Sequence, residues 1–477
     1  MLISYIADKL SREALIRKGN SLKKAAKYLG KPGLISLGGG LPSDQYFPFA
    51  EMQLKVPPVG GPFTAATASA LEPTDSGGDA DLSVLVSGKH DLPQGKSLFD
   101  ISTAFNYGQG SGAAQLLRFV TEHTEIVHAP PYRDWSCTLS IGSTSALDMA
   151  LRMLTRPGDA ILSEEYTFSA AVETAMPMGL TVVGVAMDGE GLIPEAMDEM
   201  LNNWDPQERR AGKPSVLYTV PTGQNPTGAT QGRERRIKVY KVAQRHDLMI
   251  IEDEPYYFLQ MEEYHSEQAS NTNGYRGSDR LSSDEEFKSD GISEQAPLSD
   301  SKYSTFLSSL LPSLLSLDTD GRVLRLDSFS KVLAPGARVG WVTASEQLVS
   351  TYTRHADVST QCPSGMSQLI LFKLLEEHWG HAGYLDWLMH LRKSYTERRN
   401  GMMRACELKL PREVVSWEVP RAGMFVGFFF FNITNRYLAF VKRDVVQRRK
   451  CILTLYVALA PHKLPPSPCV RIVHQQG

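Results

Sequence analysis

Cysteine is scarce. The 477 residues include five, Cys137, Cys362, Cys406, Cys451 and Cys469, at scattered spacings with no CxxC pair and no histidine in metal-ligand register. That pattern excludes a disulfide scaffold and gives no metal site, and it suits a reducing, intracellular setting. Long apolar runs are missing too. The longest, Met424 to Phe431 and Ile452 to Ala460, fall well short of the ~20 residues that cross a bilayer, so no membrane span is expected. The N-terminal stretch MLISYIADKLSREALIRKGN has basic residues but no continuous apolar core and no small-residue cleavage site. This excludes a secretory signal and makes the cytoplasm the expected compartment, with mitochondrial import left open as the alternative. Nor does one charge dominate. Lys and Arg number 50 against 53 Asp and Glu, a net charge of −3, which gives no electrostatic reason to expect nucleic acid or an anionic membrane as partner.

What is present is a chain with 42% hydrophobic residues, enough for a large core in more than one domain. Residues 34–49, LISLGGGLPSDQYFPF, are dense in glycine, proline and aromatics and read as an ordered loop lining a site. Residues 51–98 are rich in Pro, Gly, Ser and Thr with little apolar periodicity, which predicts a surface insertion. From residue 137 onward, short β-branched runs such as CTLSIG, AILSEE, SVLYTV and LMIIEDE alternate with amphipathic stretches such as SALDMALRML and ERRIKVYKVAQRH. That alternation predicts an α/β fold with helices on both faces of a sheet. Residues 99–345 form the expected large domain, interrupted by a polar, disordered insertion at 262–301. A smaller, mostly helical domain follows at 346–425. The N-terminal arm covers 1–50 and an atypical tail covers 426–477.

The sharpest chemical feature is Ser328-Phe329-Ser330-Lys331, just after a strand-like run, with Arg338 seven positions on. A solvated surface lysine is the plain alternative. Two hydroxyls and a guanidinium around a lysine amine suit a lysine that forms an imine with an aldehyde cofactor while its neighbours hold a phosphate dianion. Upstream, Gly142-Ser143-Thr144-Ser145 joins a strand to a helix beginning near Ala146. Backbone N–H groups and hydroxyls there make an anion site, although serine and threonine caps are common in any protein. In IIEDEPYY, Asp253 closes an apolar strand and can pair with a protonated pyridine nitrogen, and Tyr256 comes three residues later. In VPTGQNPTGAT, proline and glycine force a turn that presents Asn225, an amide donor for a phenolic oxygen.

Taken in order, SLGGGLP, NYGQGSG, GSTSALDMALRM, EEYTFSAAVE, PTGQNPTGAT, IEDEPYYFLQ, DSFSKVLAPGARVGW and STQCPSGMSQL resemble the fold-type-I, class I/II pyridoxal-phosphate aminotransferases. Fungal aromatic aminotransferases and the related 2-aminoadipate and kynurenine aminotransferases are the nearest in pattern, and the resemblance spans residues 10–424. It implies a mainly parallel, seven-stranded sheet in the large domain and a smaller α+β domain. It implies that Lys331 carries pyridoxal phosphate as a Schiff base, that Asp253 faces the pyridine nitrogen, and that Asn225 and Tyr256 reach the phenolic oxygen. Ser143, Thr144, Ser328, Ser330 and Arg338 fall on the phosphate side. Phe168 takes the place of the ring that stacks on the cofactor, where tyrosine is more usual. Tyr107 matches a residue that reaches the neighbouring subunit's site, which implies a homodimer. Gly40 and Leu41 would line the substrate side chain, with Asn225 beside it.

The implied reaction moves an amino group from an aromatic amino acid, with kynurenine or 2-aminoadipate as further candidates, to a 2-oxo acid such as 2-oxoglutarate. The resemblance fades at Val426. In place of the expected carboxylate-binding arginine and closing helix stands a tail that begins VGFFFFNITNRYLAFVKRDVVQRRK and ends at Gly477, with Arg471 in a loosely comparable place. The tail's composition suggests a translated intron or a shifted reading frame. Two alternatives therefore stand beside transamination: a cofactor-binding protein with little turnover, and a related lyase.

Overall fold

The apolar runs between the helices become seven strands: β1 (Trp135–Ser140), β2 (Ala160–Glu164), β3 (Thr181–Val185), β4 (Val216–Thr219), β5 (Met249–Asp253), β6 (Val323–Ser328) and β7 (Gly340–Ser345). A computed structural model of the chain describes residues 7–20, 40–58, 82–266, 300–412, 415–430 and 452–454. The strands form one sheet in the order β1-β7-β6-β5-β4-β2-β3. Strand β7 runs antiparallel to both neighbours, and the other pairs are parallel. The fold is α/β, as the sequence pattern predicts.

Successive side chains explain why the strands read as unbroken apolar runs. Met249 and Ile251 of β5 join one core, while Ile250 joins the core on the opposite face. Tyr218 and Leu217 of β4 divide in the same way. With period-2 alternation, both faces must be covered, so every position is apolar or internally paired. The covering helices that matter for the site are α1 (Ala114–His128), α2 (Gly142–Leu154), α3 (Ser169–Ala175), α4 (Arg233–Arg245), α5 (Glu346–Ala356) and α6 (Gly380–Lys409). On α2, Ala146, Leu147, Ala150, Leu151, Met153 and Leu154 are buried at helical spacing. Each large apolar side chain so buried contributes about 1.5–3 kcal/mol.

Beyond the sheet, Val415–Trp417 (β8), Gly427–Phe430 (β9) and Ile452–Thr454 (β10) form a three-stranded antiparallel sheet. Met403 and Cys406 of α6 pack with Val415, Trp417, Val426 and Phe428. Within the region read as a surface insertion, Glu51–Val56 pairs antiparallel with Ser83–Gly88, and residues 59–81 between them lie outside the described residues. Residues 267–299 of the polar insertion also lie outside them, as do 431–451 and 455–477 of the tail, Arg471 included.

One buried group carries a pH prediction. His123 on α1 is 2% exposed among Phe119, Phe258, His381 and Tyr384, and neither ring nitrogen has a hydrogen-bond partner among the described residues. Burial, reinforced by His381, lowers its pKa to about 3. In the unfolded chain the imidazole titrates near 6.5, so between those values the unfolded state binds the extra proton. Stability is therefore full above the unfolded value and falls as pH drops through that window, by about 2 kcal/mol at pH 5. His123→Leu is expected to flatten the fall in thermal midpoint between neutral pH and pH 5. An unchanged slope would assign the acid sensitivity to other groups.

Candidate active site

Lys331 sits in the connection between β6 and β7, two strands that lie side by side and run in opposite directions. Phe329, fully buried against Trp341 and Tyr384, pins the start of that connection, and its N–H donates to Val339 O at 3.1 Å. The lysine itself is half-buried and enters no hydrogen bond or ion pair with a described residue. Around it, the Ser328 hydroxyl donates to Ser330 Oγ at 2.8 Å, and the Ser330 N–H returns a bond to Ser328 Oγ at 3.1 Å. Arg338 Nη1 donates to Ser330 Oγ at 3.2 Å, and Nη2 reaches Ile141 O at 3.4 Å. Arg338 holds a left-handed backbone with φ 52°, a strained conformation for a residue with a side chain, which turns its guanidinium back over the serines.

The same guanidinium meets the start of α2. That helix begins at Gly142, earlier than the sequence suggests, so Ser143, Thr144 and Ser145 occupy its first turn. The reason is Gly142 itself. Its φ of +72° lets β1 turn directly into the helix, and any side chain there would strike Arg338. Ile141 at the N-cap makes no side-chain hydrogen bond, which leaves the first-turn N–H groups available to an anion. Serine hydroxyls, a guanidinium and a helix N-terminus thus converge next to the lysine turn.

Asp253 ends β5 on the face shared with Ile251. The Tyr218 hydroxyl donates to its Oδ2 at 2.9 Å, while Oδ1 is buried with no hydrogen bond of good geometry among the described residues. Ser143 Oγ lies buried beside the carboxyl, without a hydrogen bond of good geometry but near enough to pull the Asp253 pKa down weakly. Burial raises the Asp253 pKa to about 6, with Tyr218 working against that rise and Asp327 adding to it. Asp327 is in turn gripped at two points by Arg325, with Nε to Oδ2 and Nη2 to Oδ1 both at 2.8 Å. Arg325 also meets Glu252 at 3.2 Å and lies over the Tyr257 ring at 4.7 Å.

The turn carrying Asn225 is fixed from two sides. Gly223 φ is +57°, and a Cβ there would come within 2.6 Å of the Gly423 backbone, so the turn and the segment leading into β9 meet backbone to backbone. Beneath it, Arg236 of α4 pairs with Glu254 at 3.1 Å and donates to Thr222 Oγ1 at 2.7 Å, all three side chains fully enclosed. Burial raises the Glu254 pKa to about 7, against the pull of Arg236. Arg236→Met is expected to cost about 3–5 kcal/mol by leaving that carboxyl without its cation. Because the folded pKa then lies further above the unfolded one, the loss deepens as pH rises. Chemical denaturation on either side of neutrality measures it. Tyr256 is buried with its ring edge-on to Phe425 at 5.6 Å.

The remaining predicted residues divide. Phe168 is at the N-cap of α3 and packs against the core on the Asp253 face. Tyr107 is 71% exposed and Leu41 49% exposed, and a side chain at Gly40 would meet only open space. The Tyr107 loop and the Gly40 segment are tied to each other by Asn106 Nδ2 donating to Pro42 O at 3.1 Å and by Phe49 against Phe105 at 5.0 Å.

Comparison with known proteins decides the family. The model of the family described as aminotransferase class I and II matches residues 80–275 and 293–447. The chain is a class I and II aminotransferase. It is 43% identical over 425 residues to an aromatic amino acid aminotransferase of Schizosaccharomyces pombe, covering 89% of this chain and 81% of that protein. It is 38% identical to an L-tyrosine:2-oxoglutarate aminotransferase of Tapinella panuoides, covering 88% of this chain and 73% of that one. A crystal structure of an aminotransferase from Candida albicans superposes with a TM-score of 0.76 at 37% identity, over 92% of this chain and 84% of that one. The family match continues to residue 447, so the resemblance does not stop at 424.

Pyridoxal phosphate is the cofactor of this aminotransferase, and its residues suit that group. Ser330, Arg338 and the α2 N-terminus form a cradle that would suit a phosphate, the half-partnered Asp253 carboxylate would suit a pyridine nitrogen, and a half-buried lysine amine stands between β6 and β7. Tyr218 and the Arg325–Asp327 pair carry no mark in the sequence motifs. Their signal is positional: Tyr218 pairs opposite Ile251, two residues before Asp253 on the same face.

Proposed function

We propose that this aminotransferase moves the amino group of aromatic amino acids to 2-oxoglutarate or a similar 2-oxo acid, working as a cytoplasmic homodimer. The observation that carries the site reading is the convergence of Ser328, Ser330, Arg338 and the α2 N-terminus beside Lys331, with the half-partnered Asp253 carboxylate at the end of β5. The named substrates of the Schizosaccharomyces pombe and Tapinella panuoides relatives support the substrate class. Among the described residues, no helix is long and apolar enough to cross a membrane.

Bound pyridoxal phosphate supplies an electron sink for the pair left behind when the substrate's Cα–H bond breaks. In this reading the Lys331 amine takes that α-proton and returns it one atom away; water then releases the 2-oxo acid, and the amino group stays on the cofactor until a second 2-oxo acid takes it. Asp253 keeps a proton on the pyridine nitrogen. Ser328, Ser330, Arg338, Ser143, Thr144 and the first-turn N–H groups hold the phosphate. Asn225 and Tyr256 donate to the phenolic oxygen, and Phe168 covers one ring face. Tyr107 of a second copy completes the phosphate side, and the exposed Tyr107 loop with its neighbours Gly40 and Leu41 is the surface available for that copy and for the substrate side chain. Arg471, outside the described residues, is the candidate for the substrate carboxylate, with a tail arginine that has no such role as the alternative. Arg471→Ala is then expected to raise KM for phenylalanine by about 100-fold with cofactor affinity unchanged, and an unchanged KM would assign the carboxylate to another group.

The deciding experiment mixes the purified protein with pyridoxal phosphate and then phenylalanine, tyrosine, kynurenine or 2-aminoadipate in turn. Visible absorption that forms and is then bleached, with release of the matching 2-oxo acid, supports the reading. Absorption that forms and stays would mark a cofactor-binding protein without turnover.

A further inference from the structure

The His123 cluster bears on stability, and the exposed apolar loops belong to the proposed dimer surface. Tyr218 is different, because it contacts a reacting-site group through a bond that neither the phosphate cradle nor the lysine turn requires.

We propose that Tyr218 is a positioning residue for Asp253: its phenol occupies one carboxylate oxygen, so that the other is left facing the cofactor and too weakly basic to strip the proton from the pyridine nitrogen. This rests on the reading that Asp253 meets that nitrogen. The geometry is specific. Tyr218 is 1% exposed and Asp253 5% exposed, their oxygens are 2.9 Å apart, and among the described residues the second carboxylate oxygen has no hydrogen bond of comparable geometry, only the weak pull of Ser143 beside the carboxyl. Parallel pairing of β4 with β5 sets Tyr218 opposite Ile251, and the phenol spans the two-residue step to Asp253 on the same face. The hydroxyl can only donate, because burial and the neighbouring Asp253 push its own ionisation far above the usual tyrosine range.

A donor on the far oxygen lowers a carboxylate's proton affinity. The other groups that act on Asp253 do not supply the same control. Asp327 opposes it, Arg325 offsets Asp327 from the next strand, and Ser143 adds a weaker pull. Glu164 of β2 and Tyr256 act on the Tyr218 side of the pair. Without the phenol, the proton shared between nitrogen and carboxylate shifts toward Asp253, and the ring becomes a poorer electron sink.

The test uses holoenzyme loaded with pyridoxal phosphate carrying the heavy nitrogen isotope in its ring, whose magnetic resonance reports where the proton lies. Tyr218→Phe keeps the ring and removes one oxygen. The resonance is expected to move toward the unprotonated value, the acid limb of the kcat profile to move to higher pH, and kcat to fall about tenfold with KM nearly unchanged. Replacing Tyr218 with a ring-fluorinated tyrosine, a stronger donor of nearly the same shape, is expected to move the resonance the other way, and it serves equally if the Phe variant does not fold. A resonance and acid limb identical to the parent in these variants would overturn the proposal. Asp253→Asn separates the two readings. If it moves the resonance and the Tyr218 variants do not, only Tyr218 loses its role; if it does not, the Asp253 reading falls as well.

Discussion

Lys331→Ala is expected to lower kcat/KM for phenylalanine by on the order of 10⁴-fold and to remove the visible absorption that depends on its bond to the cofactor. The expected loss is large because the proposed mechanism gives one amine two tasks, holding the cofactor covalently and carrying the α-proton. No neighbour can substitute. Ser328 and Ser330 are committed to each other and to Arg338, and Asp253 ends a different strand with one oxygen already bonded to Tyr218. The phosphate cradle survives the substitution, so the variant should still retain cofactor on gel filtration. Added small primary amines should restore part of the proton transfer, because they replace the missing base without its tether. Activity close to the parent in Lys331→Ala would remove the lysine from the mechanism. A variant that also loses all affinity for pyridoxal phosphate would show that the cradle binds it too weakly alone.

Asp253→Ala carries the second largest effect, on the order of 10²–10³-fold in kcat with a smaller change in KM. Here the argument is electrostatic. A buried carboxylate raised to about 6 is still mostly ionised at neutral pH, which is what a partner for a cationic nitrogen needs. Removing it leaves that nitrogen in a closed site with no counter-charge, so the nitrogen gives up its proton and the ring withdraws electrons less strongly. Asp253→Glu, which keeps the charge and misplaces it, should lie between the parent and Ala. For the parent enzyme kcat is expected to decline as pH falls, because protonation of Asp253 removes the counter-charge; the cationic nitrogen holds the carboxyl below the value of about 6 that it has without that partner. Stopped-flow measurement of α-proton loss as pH is lowered checks both statements.

Much of this site was legible in the sequence because its groups sit at punctuation marks. Asp253 comes after an apolar run that must end at the sheet edge, Lys331 after another, and Asn225 sits between prolines and glycines that leave the chain little choice. The sheet was legible for the same reason, since two-faced burial writes itself as unbroken apolar strands. What stayed hidden depends on neighbours distant in the chain. The Tyr218–Asp253 bond joins residues 35 positions apart through a pairing register that no local pattern encodes. The buried grip of Arg325 on Asp327 looks, in sequence, like two charges on a strand, which would suggest an exposed edge. The start of α2 reads too late in the sequence because its first turn is polar by composition and helical only through Gly142. Gly40 and Leu41 rest on resemblance alone, and within one chain their segment lies at the surface.

The meeting of Gly223 with Gly423 has a consequence for how such an enzyme can diversify. It is a seam with no room for a methyl group on either side. A single added carbon on either glycine would pry apart the Asn225 turn and the segment leading into β9.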